Sequence, residues 1–325
     1  MAPSSTISAR PTSGARAFLQ RLASGDEIAR LVTAAFAGCI LLATVGVIWE
    51  LWVNSTLARH KFGLSLLTSS DWDAVAGQFG ALPFIYGTVV TSLVALLIAV
   101  PVGLGAAIFL AELAPAKISS TFTFFIELLA AVPSVIYGVL AIFTLVPLMR
   151  DYVEPALKKT LGFLPIFSGT ILGVGYLTAG VILALMVLPF IISISREALL
   201  EVPTEQREAA LALGCTRWES TWQVVVPYAR LGIFGSIFLG LARALGETMC
   251  VTMVIGNDPS IHTSLFAPGY TIAAILANEF SEATGDLYLH SLVALGLILF
   301  LLTIVINAMA RLLIIATTRR GSGHP

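Results

Sequence analysis

Charge is scarce in this chain. Only 11% of its 325 residues are Asp, Glu, Lys or Arg, against 57% hydrophobic residues, a balance that excludes an ordinary soluble globular domain. Large soluble domains are excluded with it, because most of the chain must find its solvent in lipid. Cysteine is equally sparse. Cys39, Cys215 and Cys250 lie in an apolar run, a polar loop and another apolar run, with no metal-ligand spacing between them, so free thiols are expected. The four histidines, His60, His262, His290 and His324, form no His-Glu-x-x-His and are scattered over loops and ends, which leaves no metal centre to expect. Phosphate-cradling glycines are missing: the sole Lys-Thr pair, Lys159-Thr160, follows Lys158 rather than a glycine. No Gly-x-Ser-x-Gly elbow occurs, and Thr284-Gly285-Asp286 lacks the preceding glycine of an intramembrane aspartyl motif. Catalysis by this chain is therefore not expected, and nothing in it points to nucleic acid.

What the sequence does have is long apolar runs. An all-α polytopic membrane protein is expected, with six transmembrane helices near 31–53, 84–110, 122–148, 170–195, 231–255 and 287–315. Pro101, Pro133 and Pro189 fall inside these spans and should bend them. Small residues such as Gly103 with Gly105, and Gly169 with Gly173, offer close helix approach. Residues 1–30 read as a cytoplasmic, largely disordered tail, 31–317 as the transmembrane domain, and 318–325 as a second cytoplasmic tail. Lys and Arg divide unequally between the two sides. Twelve fall with the N-terminus (Arg10, Arg16, Arg21, Arg30, Lys117, Arg196, Arg207, Arg217, Arg230, Arg311, Arg319, Arg320) and five opposite (Arg59, Lys61, Arg150, Lys158, Lys159), so both termini are expected in the cytoplasm.

The eighteenth basic residue, Arg243, falls inside a span, and Glu247 follows four residues later. On one continuous helix the two would share a face, and neither is stable unpaired in hydrocarbon. A structural ion pair is one reading; the other is a substrate pathway in which Arg243 offers charge-assisted hydrogen bonds to a passing oxyanion while Glu247 holds the guanidinium.

The polar loop 201–230 reads as helix, turn, helix. Pro203 suits a first helical turn and Glu205 and Glu208 sit near its positive end, while Gly214 suits the left-handed stop. Thr216 and Glu219 have capping-box spacing, and Pro227 is expected to end the second short helix. Ala209, Ala210 and Leu213 offer a close-approach face with Arg207 and Glu208 at its rim. An amphipathic hairpin on the membrane surface and a protein-docking surface fit this pattern equally.

The run Glu208-Ala209-Ala210, then Gly214, then Val226-Pro227 resembles the EAA loop of the permeases of ABC importers. Phe79 to Thr88, Glu127 to Gly138 and Arg243 to Thr248 are similar to the PstC-type branch, the phosphate permeases, and the resemblance extends from Ser70 to the C-terminus. It implies a coupling role for Glu208, Ala209, Ala210, Gly214 and Pro227, to which Arg207 is added from its place at the rim of the docking face, while the substrate pathway through Arg243 and Glu247 rests on their charge inside a span. It also implies a second permease of PstA type, two copies of an ATP-binding subunit that use ATP and Mg, and a periplasmic or extracellular phosphate-binding protein, with membrane lipid around the whole. No cofactor is expected in this chain. Two rival readings stand beside this one: an ion-coupled secondary anion transporter, and an ABC-importer permease for another oxyanion such as sulphate or molybdate.

Overall fold

A computed structural model describes residues 26–321, with side chains placed from Ile28 to Leu312. Most of the tail expected over residues 1–30 lies outside the described residues; Asp26 to Arg30 are already helical. At the other end the last helix runs on to Gly321, past the expected boundary at 317, and 322–325 lie outside the described residues.

Two compact units divide after Val53. The first is described by one helix, α1 (Asp26–Asn54), which carries the first of six helices long and apolar enough to cross a membrane. The second unit holds the other five candidate spans: α2 (Leu82–Leu113), α4 (Ser134–Leu161), α5 (Tyr176–Leu200), α7 (Arg217–Gly246) and α10 (Asp286–Gly321). Between them come α3 (Ala116–Ala130), α6 (Thr204–Ala212), the single turn α8 (Met249–Thr252) and α9 (Ile272–Glu279). A two-stranded antiparallel ribbon pairs β1 (Trp72–Asp73) with β2 (Gln78–Phe79) before α2.

The second unit is built around α5, 61% of whose most apolar window is buried inside the protein, more than any other span. Tyr176, Ile182, Leu183, Met186, Val187 and Ile191 of this helix form the centre of the main core cluster. In lipid, apolar exclusion does not drive helices together, so contact depends on steric fit and on small residues at the crossings. Gly180 of α5 lies so close to α2 that a Cβ there would sit 2.4 Å from Val94 Cγ1. Gly240 of α7 plays the same part against α5, where a Cβ would meet Val187 at 2.9 Å. One hydroxyl pair, Ser195 Oγ with Ser236 Oγ at 2.7 Å, bridges α5 and α7 in the buried interface.

Three spans differ from their expected limits. The third is interrupted at Ala131–Pro133: α3 stops before it and the candidate span starts at Ser134, because Pro133 takes an extended ψ of 140° at the head of a new helix instead of kinking a continuous one. The fourth begins at Tyr176 rather than 170. Gly169 and Gly173 adopt positive φ, and the Gly173 amide donates to the buried Glu154 carboxylate at 3.1 Å, so this segment is a tied loop and these glycines are not at a helix crossing. The fifth ends at Gly246 rather than 255 and begins much earlier, at Arg217.

Candidate functional site

The 201–230 loop folds into a hairpin whose first helix is α6. Pro203 precedes its first turn with extended ψ and so acts as the N-cap rather than a helical residue. At its end the Cys215 amide reaches the Ala210 carbonyl at 3.2 Å and the Gly214 amide reaches Leu211 at 3.0 Å, the two bonds of a Schellman stop, with Gly214 at φ +90°. The capping box is present: the Glu219 amide donates to Thr216 Oγ1 at 3.3 Å and the Thr216 amide to Glu219 Oε2 at 2.8 Å.

Pro227 does not end the second helix. That helix passes through a π turn at Thr221–Val225 and continues as the fifth span, with Pro227 in the first turn of the regular α segment that follows. In the π turn the Val226 amide bonds Thr221, five residues back, so the ladder is already out of α register where the proline lacks its donor. The hairpin is thus covalently continuous with α7, and a load on it bears directly on a membrane helix.

The faces of α6 are divided differently from the sequence expectation. Glu208 and Ala209 are exposed, as is Leu213 at 87%, but Ala210 is buried. Arg207 is turned inward. Its Nη2 lies 2.8 Å from Glu112 Oε1 and its Nε 3.3 Å from each carboxylate oxygen, while Nη2 also donates to the Leu199 carbonyl at 2.8 Å and Nη1 to the Val202 carbonyl. A cavity of about 190 Å³ opens beside this pair, bounded by Leu211, Arg217, Ser220 and Thr221. Glu112 is 95 residues from Arg207 in the chain and escaped sequence reasoning. Its only signal was a lone carboxylate directly after an apolar run.

The second site lies where α7 stops. The expected Arg243 to Glu247 ion pair is not formed among the described residues. Helix geometry ends at Gly246, and Glu247 takes an extended ψ of 128°, so the i,i+4 relation that would bring the two together is lost. Instead the Arg243 guanidinium stacks over the Phe190 ring of α5, 4.3 Å from its centroid, with Nε buried and without a partner among the described residues. The Glu247 carboxylate accepts the Cys250 amide at 3.4 Å, capping the single turn α8. Gly138, one turn into α4, packs directly on α8: a Cβ there would lie 2.4 Å from Met253 Sδ and 3.3 Å from Cys250 Cα. The Tyr137 hydroxyl reaches back across the interruption to the Leu129 carbonyl at 2.9 Å. Two broken helices therefore meet beside one half-buried arginine. Phe190 carried no signal in the sequence.

Six apolar helices, a polar hairpin continuous with one of them, and a cation held between helices define a polytopic membrane transport subunit. The chain belongs to the family of inner membrane components of binding-protein-dependent transport systems, whose profile matches residues 99–317. It is 48% identical over 308 residues to the phosphate transport system permease protein PstC of Mesorhizobium japonicum, covering 94% of each chain. It is 45% identical over 304 residues to PstC of Xylella fastidiosa, covering 92% of this chain and 94% of that one. To the probable phosphate transport system permease protein PstC of Methanocaldococcus jannaschii it is 35% identical over 288 residues, covering 87% and 91%.

Proposed function

We propose that this chain is a permease subunit of an ATP-driven ABC importer that moves inorganic phosphate across the cytoplasmic membrane by alternating access. The observation that carries the substrate is the 48% identity, over nearly the whole of both chains, to a phosphate transport system permease. Hydrolysis of ATP, with its Mg, falls to two copies of a separate ATP-binding subunit. A second permease of PstA type completes the pathway, a binding protein outside the membrane delivers the anion, and both termini face the cytoplasm, in keeping with the distribution of Lys and Arg.

Coupling is assigned to the 201–230 loop, with Arg207, Glu208, Ala209, Ala210, Gly214 and Pro227 as its functional residues. Glu208, Ala209 and Leu213 form the exposed face offered to the ATPase; Ala210 and Arg207 fix that face to the membrane domain from below. Because the hairpin runs unbroken into α7, displacement of its tip moves the helix that carries Arg243.

The substrate pathway is assigned to Arg243 and Glu247. Phe190 holds the guanidinium plane, and Nε has no protein partner among the described residues, leaving donor capacity for an oxyanion. Glu247 is held apart by the α8 amide and does not neutralise the arginine. The Glu247 carboxyl group can accept a hydrogen bond from the hydroxyl that phosphate retains near neutral pH, a contact that an anion without a hydroxyl cannot make.

Two measurements test this reading. Uptake into vesicles is expected to require internal ATP and to survive a protonophore; collapse with the proton gradient and indifference to ATP would instead identify an ion-coupled carrier. In reconstituted transporter, Arg243→Lys loses the bidentate fork and is expected to lower phosphate uptake at subsaturating concentration by about tenfold or more, the equivalent of one charge-assisted hydrogen bond. Undiminished transport in both Arg243→Lys and Glu247→Gln, with normal assembly, removes the two residues from the mechanism.

A further inference from the structure

Arg207 sits in the loop assigned to coupling, yet its guanidinium contacts no exposed surface. Its side chain is only 21% exposed and that of Glu112 only 10%, and every nitrogen of the fork is used inside the chain. The acceptors come from two different membrane helices. Leu199 lies in the last turn of α5 and Val202 just beyond it, where helix carbonyls have no intrahelical partner. Glu112 lies in the π turn Phe109–Leu113 that closes α2, where i→i+5 bonding, seen in the Ala114 amide on the Phe109 carbonyl at 2.8 Å, sets the direction of its side chain.

One side chain of the hairpin thus ties together the cytoplasmic ends of two helices that are already closely packed on each other. A carboxylate offers the fork two acceptors in one plane, which fixes the angle between α6 and α2 as well as their distance; the Leu199 and Val202 carbonyls alone tie α6 to α5 and leave its angle to α2 unset. Removing Glu112 leaves a mostly desolvated guanidinium with two neutral carbonyls and no counter-charge, which loosens the joint on the α2 side.

We propose that Glu112 is a positioning residue for energy coupling: through Arg207 it makes the hairpin, α2 and α5 one rigid lever, so that displacement at the hairpin tip becomes helix rotation instead of local bending. This rests on the coupling role assigned to the hairpin. Sequence places Glu112 outside the hairpin altogether, at the far end of another span.

The test uses the complete reconstituted transporter and reads two quantities: ATP hydrolysed per phosphate accumulated, and amide exchange across residues 204–213. Glu112→Ala is expected to raise the ratio about tenfold or more and to speed exchange in that segment, while Glu112→Asp, which keeps the charge, returns the ratio to within about threefold of the parent. A parental ratio with parental exchange in Glu112→Ala overturns the proposal. Failure of the Ala, Gln and Asp variants alike to assemble also overturns it, since the residue would then serve folding and not transmission. A scrambled 204–220 segment separates the two levels. If scrambling leaves uptake intact, the coupling assignment itself fails; if scrambling abolishes uptake while Glu112→Ala keeps the parental ratio, only the role of Glu112 fails.

Discussion

Gly138→Ala probes the meeting of the two interrupted helices with the smallest possible change. The added methyl would lie 2.4 Å from Met253 Sδ, 3.4 Å from Met253 Cγ and 3.3 Å from Cys250 Cα. The sulfur contact is more than 1 Å too short, so either Met253 changes rotamer or α4 withdraws from α8. Overpacking of this kind costs roughly 1–3 kcal/mol. At about 2–4 °C per kcal/mol for a unit of this size, the thermal midpoint of the purified subunit should fall by roughly 2–12 °C. Uptake should fall with it, because α8 carries the amide that holds Glu247. Met253→Ala removes the clashing atoms, and in that background the nearest remaining contact is the Cys250 Cα at 3.3 Å, which small shifts accommodate. The double variant should therefore be more stable than the sum of the single changes by about 1 kcal/mol or more. The assay is a double-mutant cycle on thermal midpoint and phosphate uptake. A neutral Gly138→Ala, or strict additivity with Met253→Ala, would refute the contact between α4 and α8 and with it the description of the site.

Two further outcomes follow from local geometry. Thr216→Ala deletes the acceptor for the Glu219 amide and should weaken the hairpin by about 0.5–2 kcal/mol, visible as faster amide exchange over residues 214–220; unchanged exchange there would mean the cap carries no load. Asp258 gives a pH dependence: partial burial disfavours its charge, but hydrogen bonds from Ser260 and His262 outweigh that and hold the carboxyl below its ordinary range. A depressed folded value means that the carboxylate stabilises the 256–264 loop at neutral pH and that this contribution fades as pH falls from about 4 through the folded value. Exchange protection of that loop, corrected for intrinsic rate, should drop over this range, and Asp258→Asn should remove the drop; an identical pH response in the variant would assign it elsewhere.

Much of the helical architecture could be read from the residues because it rests on local signals. Apolar length marks a crossing, and a Gly followed by a Thr-x-x-Glu marks a stop and a restart, and both are present at Gly214 and Thr216. What misled were residues whose meaning depends on context. Pro133 heads a new helix instead of bending an old one, and Pro227 sits harmlessly after a π turn instead of stopping the chain. Arg243 and Glu247 looked like a pair only because their spacing presupposed an unbroken helix. Arg207 with Glu112, and Arg243 with Phe190, are contacts between distant segments. No local pattern encodes them, and they became visible only once α2, α5 and α7 were packed together.

The tight crossings of α5 have a mechanical corollary. With glycines at Gly180 and Gly240 letting α2 and α7 approach to contact distance, and a hydroxyl bridge from Ser195 to Ser236, those interfaces have no slack in which to slide. Such a trio moves as one body. Under the proposed coupling role, any displacement of that body is taken up where helices are interrupted, at Ala131–Pro133 and at Glu247–Thr248.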